Sequence, residues 1–163
     1  MTVTLIIKQS TEADGTENIV ITQPGTAGIK GTEEKRHIPT GTEKEWRDHE
    51  DHVFGHVKGK HCLNNELWNR ILIKSVGYTQ WRKLSELSDT DEDEKFLKEG
   101  WLDEPDYIDS YVESQGNGWT AHQIWGFAEI NGVRKYSRRV VVRKGKDVKR
   151  ARLVYDFKEE LKN

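Results

Sequence analysis

The chain has 163 residues, 33% charged and 34% apolar, with a formal net charge of −2 and a single cysteine. That length suffices for one domain with a real core, and the balanced charge gives no reason to expect a nucleic-acid partner. One cysteine excludes an internal disulfide, and no apolar run approaches the ~20 residues of a membrane span.

The N-terminal MTVTLIIKQST lacks a basic segment followed by a long apolar run, so it does not read as a signal peptide, and a cytoplasmic protein is expected. Val3–Lys8 reads as a strand, and Asn18–Thr22 as a second, closed by Pro24-Gly25. Residues 25–42 read as loop or a ragged hairpin. Glu45–Leu63 reads as a long polar strand bent at Gly55 or Gly59, and Leu67–Leu84 as another strand. Asp89–Gly100 is the main expected helix. Asp89 or Thr90 caps it, acidic residues crowd its first turn, Phe96 and Leu97 supply its apolar contact, and Gly100 ends it. Tyr107–Ser114 is a strand and Gln115-Gly116-Asn117-Gly118 a turn. Three final strands follow, then a short terminal helix over 157–163.

The last three strands can be put in register from sequence alone. Asn131-Gly132 lies between two runs of strand formers, which predicts a two-residue hairpin turn. Ile130 then pairs with Val133, Phe127 faces Tyr136, Trp125 faces Arg138 and Gln123 faces Val140. All but the first of these share one side of the sheet. A second turn at Gly145-Lys146 adds Leu153 and Tyr155 to that side. The result is an aromatic and aliphatic wall holding one guanidinium and one amide, which is how a ligand cavity looks. The opposite side carries Lys135, Arg139, Arg143, Arg150 and Arg152 and is expected to be wet.

Many short strands in hairpin order with one helix predict a mainly β fold: a single antiparallel lipocalin-like (calycin) barrel over 1–163. The alternative is an α+β cone of the ketosteroid-isomerase-like kind, which needs N-terminal helices. Segment 85–106 is a helix-and-loop insertion with ten acidic residues against two lysines. Residues 133–152 carry ten basic residues against one aspartate. One reading is two solvated regions of opposite sign that approach each other; the alternative is a lid or partner surface.

The run Asp48-His49-Glu50-Asp51-His52-Val53-Phe54-Gly55-His56 invites a metal reading. On a strand, His52 and His56 share a face but lie roughly 13 Å apart (four residues at ~3.3 Å). Zinc ligands sit about 2 Å from the ion, so no metal is expected. Placing the aromatic positions inward puts Trp46, Phe54, His52 and His56 on the inner face, where a histidine could move a proton. Arg138, among Trp125, Leu153 and Tyr136, needs a partner: Glu113, Glu50, Asp48, the face of Trp125, or a bound anion. An internal ion pair and a ligand contact both fit it. Gln123 and the hydroxyls of Tyr136, Tyr155 and Tyr111 could orient a ligand. No phosphate-binding loop, dinucleotide fingerprint or serine-hydrolase elbow is present, so no cofactor is expected.

The segments GWTAHQIWGFAEINGVRKYSRRVVV and ARLVYDF resemble small lipocalin-like proteins of fungi, some of them linked to natural-product pathways. The resemblance covers residues 119–157; elsewhere only the strand pattern agrees. It implies a barrel that binds a polyketide- or terpenoid-like molecule and catalyses a cofactor-free cyclisation or isomerisation, including pericyclic ring closure. No family catalytic motif carries over, and the paired cysteines and N-terminal G-x-W of secreted lipocalins are lacking. The expected catalytic residues are therefore Arg138, His52, His56 and Gln123. The expected ligand wall is Trp46, Phe54, Trp81, Tyr111, Trp125, Phe127, Tyr136, Leu153 and Tyr155. The expected partner is a hydrophobic small molecule, with no nucleic acid and no membrane, and the protein a monomer or homodimer. A non-catalytic carrier, or an interaction module with a filled core, are the alternatives.

Overall fold

The structure, a computed structural model, describes residues 4–25, 31–41, 47–48 and 75–161. Its strands are β1 (Ile6–Thr11), β2 (Glu17–Gln23), β3 (Thr32–Ile38), β4 (Arg47–Asp48), β5 (Ser75–Arg82), β6 (Tyr107–Ser114), β7 (Trp119–Ile130), β8 (Val133–Lys144) and β9 (Asp147–Tyr155). One α-helix, α1 (Glu92–Lys98), and a 3-10 turn at Leu84–Glu86 lie between β5 and β6. The strands form a three-stranded sheet, β1-β2-β3, and a six-stranded sheet, β4-β5-β6-β7-β8-β9. Among the described residues the mainly β, antiparallel expectation with one short α-helix therefore holds. Closure into a barrel is not among the pairings of the described residues, and residues 4–25 and 31–41 hold strands and no helix.

The chain divides into two compact units: one within Met1–Tyr78 and Ser114–Asn117, the other Thr79–Glu113 with Gly118–Asn163. In the first, β1 and β2 are joined by a tight turn. Asp14 Oδ1 accepts from Thr16 N at 2.9 Å, and Gly15 takes the positive φ of 88° that the turn requires. Within residues 25–42, expected as loop or a ragged hairpin, Thr32–Ile38 is a full strand. It pairs with β2 from Glu17↔Ile38 to Gln23↔Thr32. Its alternation was hidden because Arg36, buried beside Ile19, Ile21 and Ile38, takes a position where an apolar residue is the usual signal. The Arg36 guanidinium is paired with Glu34.

In the second unit, β7 and β8 pair from Ile130↔Val133 out to Trp119↔Lys144, as the Asn131-Gly132 turn predicts. Asn131 (φ 53°) and Gly132 (φ 76°) adopt the left-handed conformations of that turn. The turn at Gly145-Lys146 sets β9 with Arg138↔Leu153 and Tyr136↔Tyr155.

The side of this sheet expected to be wet is instead covered by α1. Ile124, Ala128 and Val141 point that way and are buried, with Leu87, Leu97 and Tyr107 packed against the same layer. Fully burying a side chain such as Leu97 contributes about 1.5–3 kcal/mol. The arginines on this side rim the helix. Arg139 is buried and donates to Phe96 O at 2.9 Å, while Arg143 and Arg150 both reach Asp93. Their charged ends meet Asp93, Glu99 and the Phe96 carbonyl of the helix segment, and an arginine can cover apolar surface with its stem, so charge alone misassigned this side. The acidic and basic segments do approach each other, through Asp93, Glu99–Arg139 and Glu104–Arg134.

The helix cap is Asp91, one residue past Thr90 and two past Asp89. Asp91 Oδ1 accepts from Asp93 N and Glu94 N, each at 2.9 Å. Gly126 lets the layer close: a Cβ there would sit 2.7 Å from the Tyr107 ring. Residues 156–161 form no helix, contrary to expectation; Phe157 and Leu161 are exposed, so no apolar face holds a turn there.

Candidate functional site

The other side of the six-stranded sheet carries the residues that the hairpin register had grouped. Alternation puts Gln123, Trp125 and Phe127 of β7, Tyr136 and Arg138 of β8, and Leu153 and Tyr155 of β9 on one face. Trp125 is 2% exposed and Arg138 6%. The guanidinium carbon lies 4.0 Å from the Trp125 ring centroid, so the charge rests on an aromatic face. Such a contact is worth about 2 kcal/mol when desolvated. Arg138 Nε donates to the Tyr136 hydroxyl at 2.9 Å. Trp125 Nε1 donates to Gln123 Oε1 at 3.0 Å. The Tyr136 ring lies 5.4 Å from Tyr155 and 6.1 Å from Phe127, centroid to centroid. Arg134, not anticipated, covers the outer side of Phe127 at 3.5 Å and pairs with Glu104.

The face grades outward. Trp125 and Arg138 are buried, Gln123, Phe127, Tyr136 and Tyr155 half-buried, and Leu153 42% exposed. Trp81, at the end of β5, is 43% exposed. Tyr111 does not join them: its partner across the sheet is His122, and the two rings meet edge-on at 5.6 Å on the helix side. Glu113 lies on that same side, opposite Thr120, so the face it occupies removes it as a partner for Arg138. Trp46, Phe54, His52 and His56 lie outside the described residues, as does Glu50.

Two groups were missed from sequence. One is a polar cluster on the helix side around Asp109, which is 0% exposed. His122 Nε2 lies 2.7 Å from its Oδ1, while Gln80 and Arg82 donate to Oδ2 at 2.9 and 3.1 Å. Burial pushes this carboxyl up. The hydrogen bond and charge of His122, with Gln80 and Arg82, more than offset that and hold it below the ordinary aspartate value. The other is Ser110, also 0% exposed, opposite Gln123 on the Trp125 side. Both follow from the 115–118 turn, which sets Glu113 opposite Thr120 and hence Ser110 opposite Gln123. Among the described residues no group of three His, Cys, Asp or Glu could hold a metal ion, and no helix is long and apolar enough to cross a membrane.

Over 80 residues the chain is 40% identical to the pericyclase pydY of Acremonium sp, a match that spans 48% of this chain and 42% of that protein. It is 36% identical over 80 residues to the probable pericyclase scpY of Mollisia scopiformis, spanning 48% of this chain and 41% of that one. The chain thus spans less than half the length of the curated relatives it matches. No family model matches it, and no solved structure does.

Proposed function

We propose that this chain belongs to a cofactor-free cyclase of the pericyclic kind. Its substrate would be a hydrophobic polyketide- or terpenoid-like chain seated on the Trp125 face of a lipocalin-like barrel. The similarity to two proteins named pericyclases supports the reaction class. The observation that carries the site is the buried Arg138 guanidinium held against Trp125 and oriented by Tyr136.

A ring closure of this kind moves electrons around a cycle and needs neither a nucleophile nor a redox partner. What a protein contributes is shape and field. An aromatic wall of Trp125, Phe127, Tyr136 and Tyr155 folds a flexible polyene into a near-attack conformer, which lowers the entropic part of the barrier. A fixed cation at Arg138 polarises a conjugated carbonyl as charge builds on its oxygen. Burial strengthens that field because little water screens it. Where a proton must move, His52 or His56 is assigned the task.

The test is to incubate the protein with a linear polyene bearing a conjugated carbonyl and to follow cyclised product. Acceleration over the uncatalysed rate is expected. Arg138→Ala should lower that rate by about 10²–10³-fold with the far-ultraviolet circular dichroism unchanged. Binding without acceleration would make the protein a carrier and overturn the enzyme reading.

A further inference from the structure

Two serines in the second unit are each 0% exposed, and they are treated differently. Ser137, on the helix side, donates its hydroxyl to Leu153 O at 2.9 Å. Ser110, on the Trp125 side, has no hydrogen-bond partner for its Oγ among the described residues. A buried hydroxyl left unsatisfied is costly, and a backbone carbonyl or an alanine would remove the cost. Opposite Ser110 across the sheet stands Gln123. Directly paired residues have Cβ atoms about 5 Å apart, within reach of one shared ligand atom. The Gln123 amide is oriented, because an indole N–H can only donate and therefore fixes Oε1 on Trp125. Its two N–H donors are on the other arm.

We infer that Ser110 and Gln123 form a two-donor clasp for a carbonyl oxygen of the ligand, beside the Arg138–Trp125 pair. This rests on the proposed cyclase reading and deepens it. The substrate class becomes a polyene whose carbonyl enters the apolar face oxygen first, and the clasp sets which end of the chain lies over the aromatic wall. No bond forms or breaks at Ser110; it is a binding and positioning residue.

The experiment uses methyl all-trans-retinoate, 13C-labelled at its carbonyl, against axerophthene, the same chain with a methyl group in place of the ester. Binding is read by tryptophan quenching, and the carbonyl stretch by difference infrared spectroscopy. Wild type is expected to prefer the ester and to lower its carbonyl frequency. Ser110→Ala should bind the ester about three- to tenfold more weakly, as the loss of one hydrogen bond implies, leave axerophthene unchanged, and raise the carbonyl frequency. Its melting temperature should equal or exceed that of wild type. Ser110→Cys, of similar volume and weaker donor strength, should fall between. Ser137→Ala should melt lower and keep the ester preference. An S110A protein that binds the ester as wild type does, with the carbonyl frequency unmoved, overturns the clasp and leaves the cyclase reading standing. Wild type that binds neither probe overturns both.

Discussion

Asp109 shows how one residue can be held by three neighbours and still be invisible in a sequence pattern. Its carboxylate is fully buried, joined to His122 on β7 and to Gln80 and Arg82 on β5. Because its folded pKa lies below the ordinary value of ~3.9, the stability it contributes is fully present above that pH. It is lost as pH falls below about 4, through the folded value. Asp109→Asn should therefore cost about 3 kcal/mol at pH 7, by removing the buried anion that His122, Gln80 and Arg82 share, with Arg82 keeping only Glu86. The cost should shrink towards pH 3, both read by urea unfolding. In YIDSYVES the alternating sets Tyr107, Asp109, Tyr111 and Ile108, Ser110, Val112 each mix polar with apolar residues, so polarity does not choose a face. Only the count through the 115–118 turn does, and it moves Tyr111 away from the site and Ser110 into it. Arg138 and Trp125, by contrast, were legible, since a two-residue Asn-Gly turn leaves one register.

The helix α1 is anchored on the sheet by both charge and shape. Asp93 is pushed up by burial but held below the ordinary range by hydrogen bonds from Arg143 and Arg150. Asp93→Ala should destabilise by about 1 kcal/mol, since both arginines are well exposed, and the loss should fall with added salt. Gly126→Ala should cost more, about 1–3 kcal/mol, because the new methyl meets the Tyr107 ring and the neighbouring Trp101 ring restricts its retreat. Thermal melts of the two variants rank these effects. The helix itself was readable from its acidic first turn and the Phe96-Leu97 pair. Its seat was not, because five basic residues on the receiving face outweighed Ile124, Ala128 and Val141 when only polarity was counted. Strand β3 was lost for the same reason at Arg36.

At the scale of the molecule, the sheet of the second unit buries residues on both sides, and the two sides differ in kind. The helix side is filled by interlocking apolar groups, with Ser137, Arg139 and Asp109 each hydrogen-bonded to a neighbouring element. The Trp125 side combines aromatic rings, the Arg138 cation resting on Trp125, and the buried Ser110 hydroxyl, whose lack of a hydrogen-bond partner among the described residues costs stability. A ligand bound there raises the melting temperature in proportion to the logarithm of its free concentration. The mainly β class was legible because hairpin turns and alternation are local signals. Closure into a barrel was not testable from them, since it depends on pairing between distant strands. The central claim is that this chain accelerates a ring closure with its own residues alone. Chelator-treated, exhaustively dialysed protein should be mixed with a linear polyene bearing a conjugated carbonyl, and product formation followed in a single turnover. The account predicts cyclised product at a rate well above background and unchanged by the treatment. Product at the background rate, with the polyene bound, would contradict it.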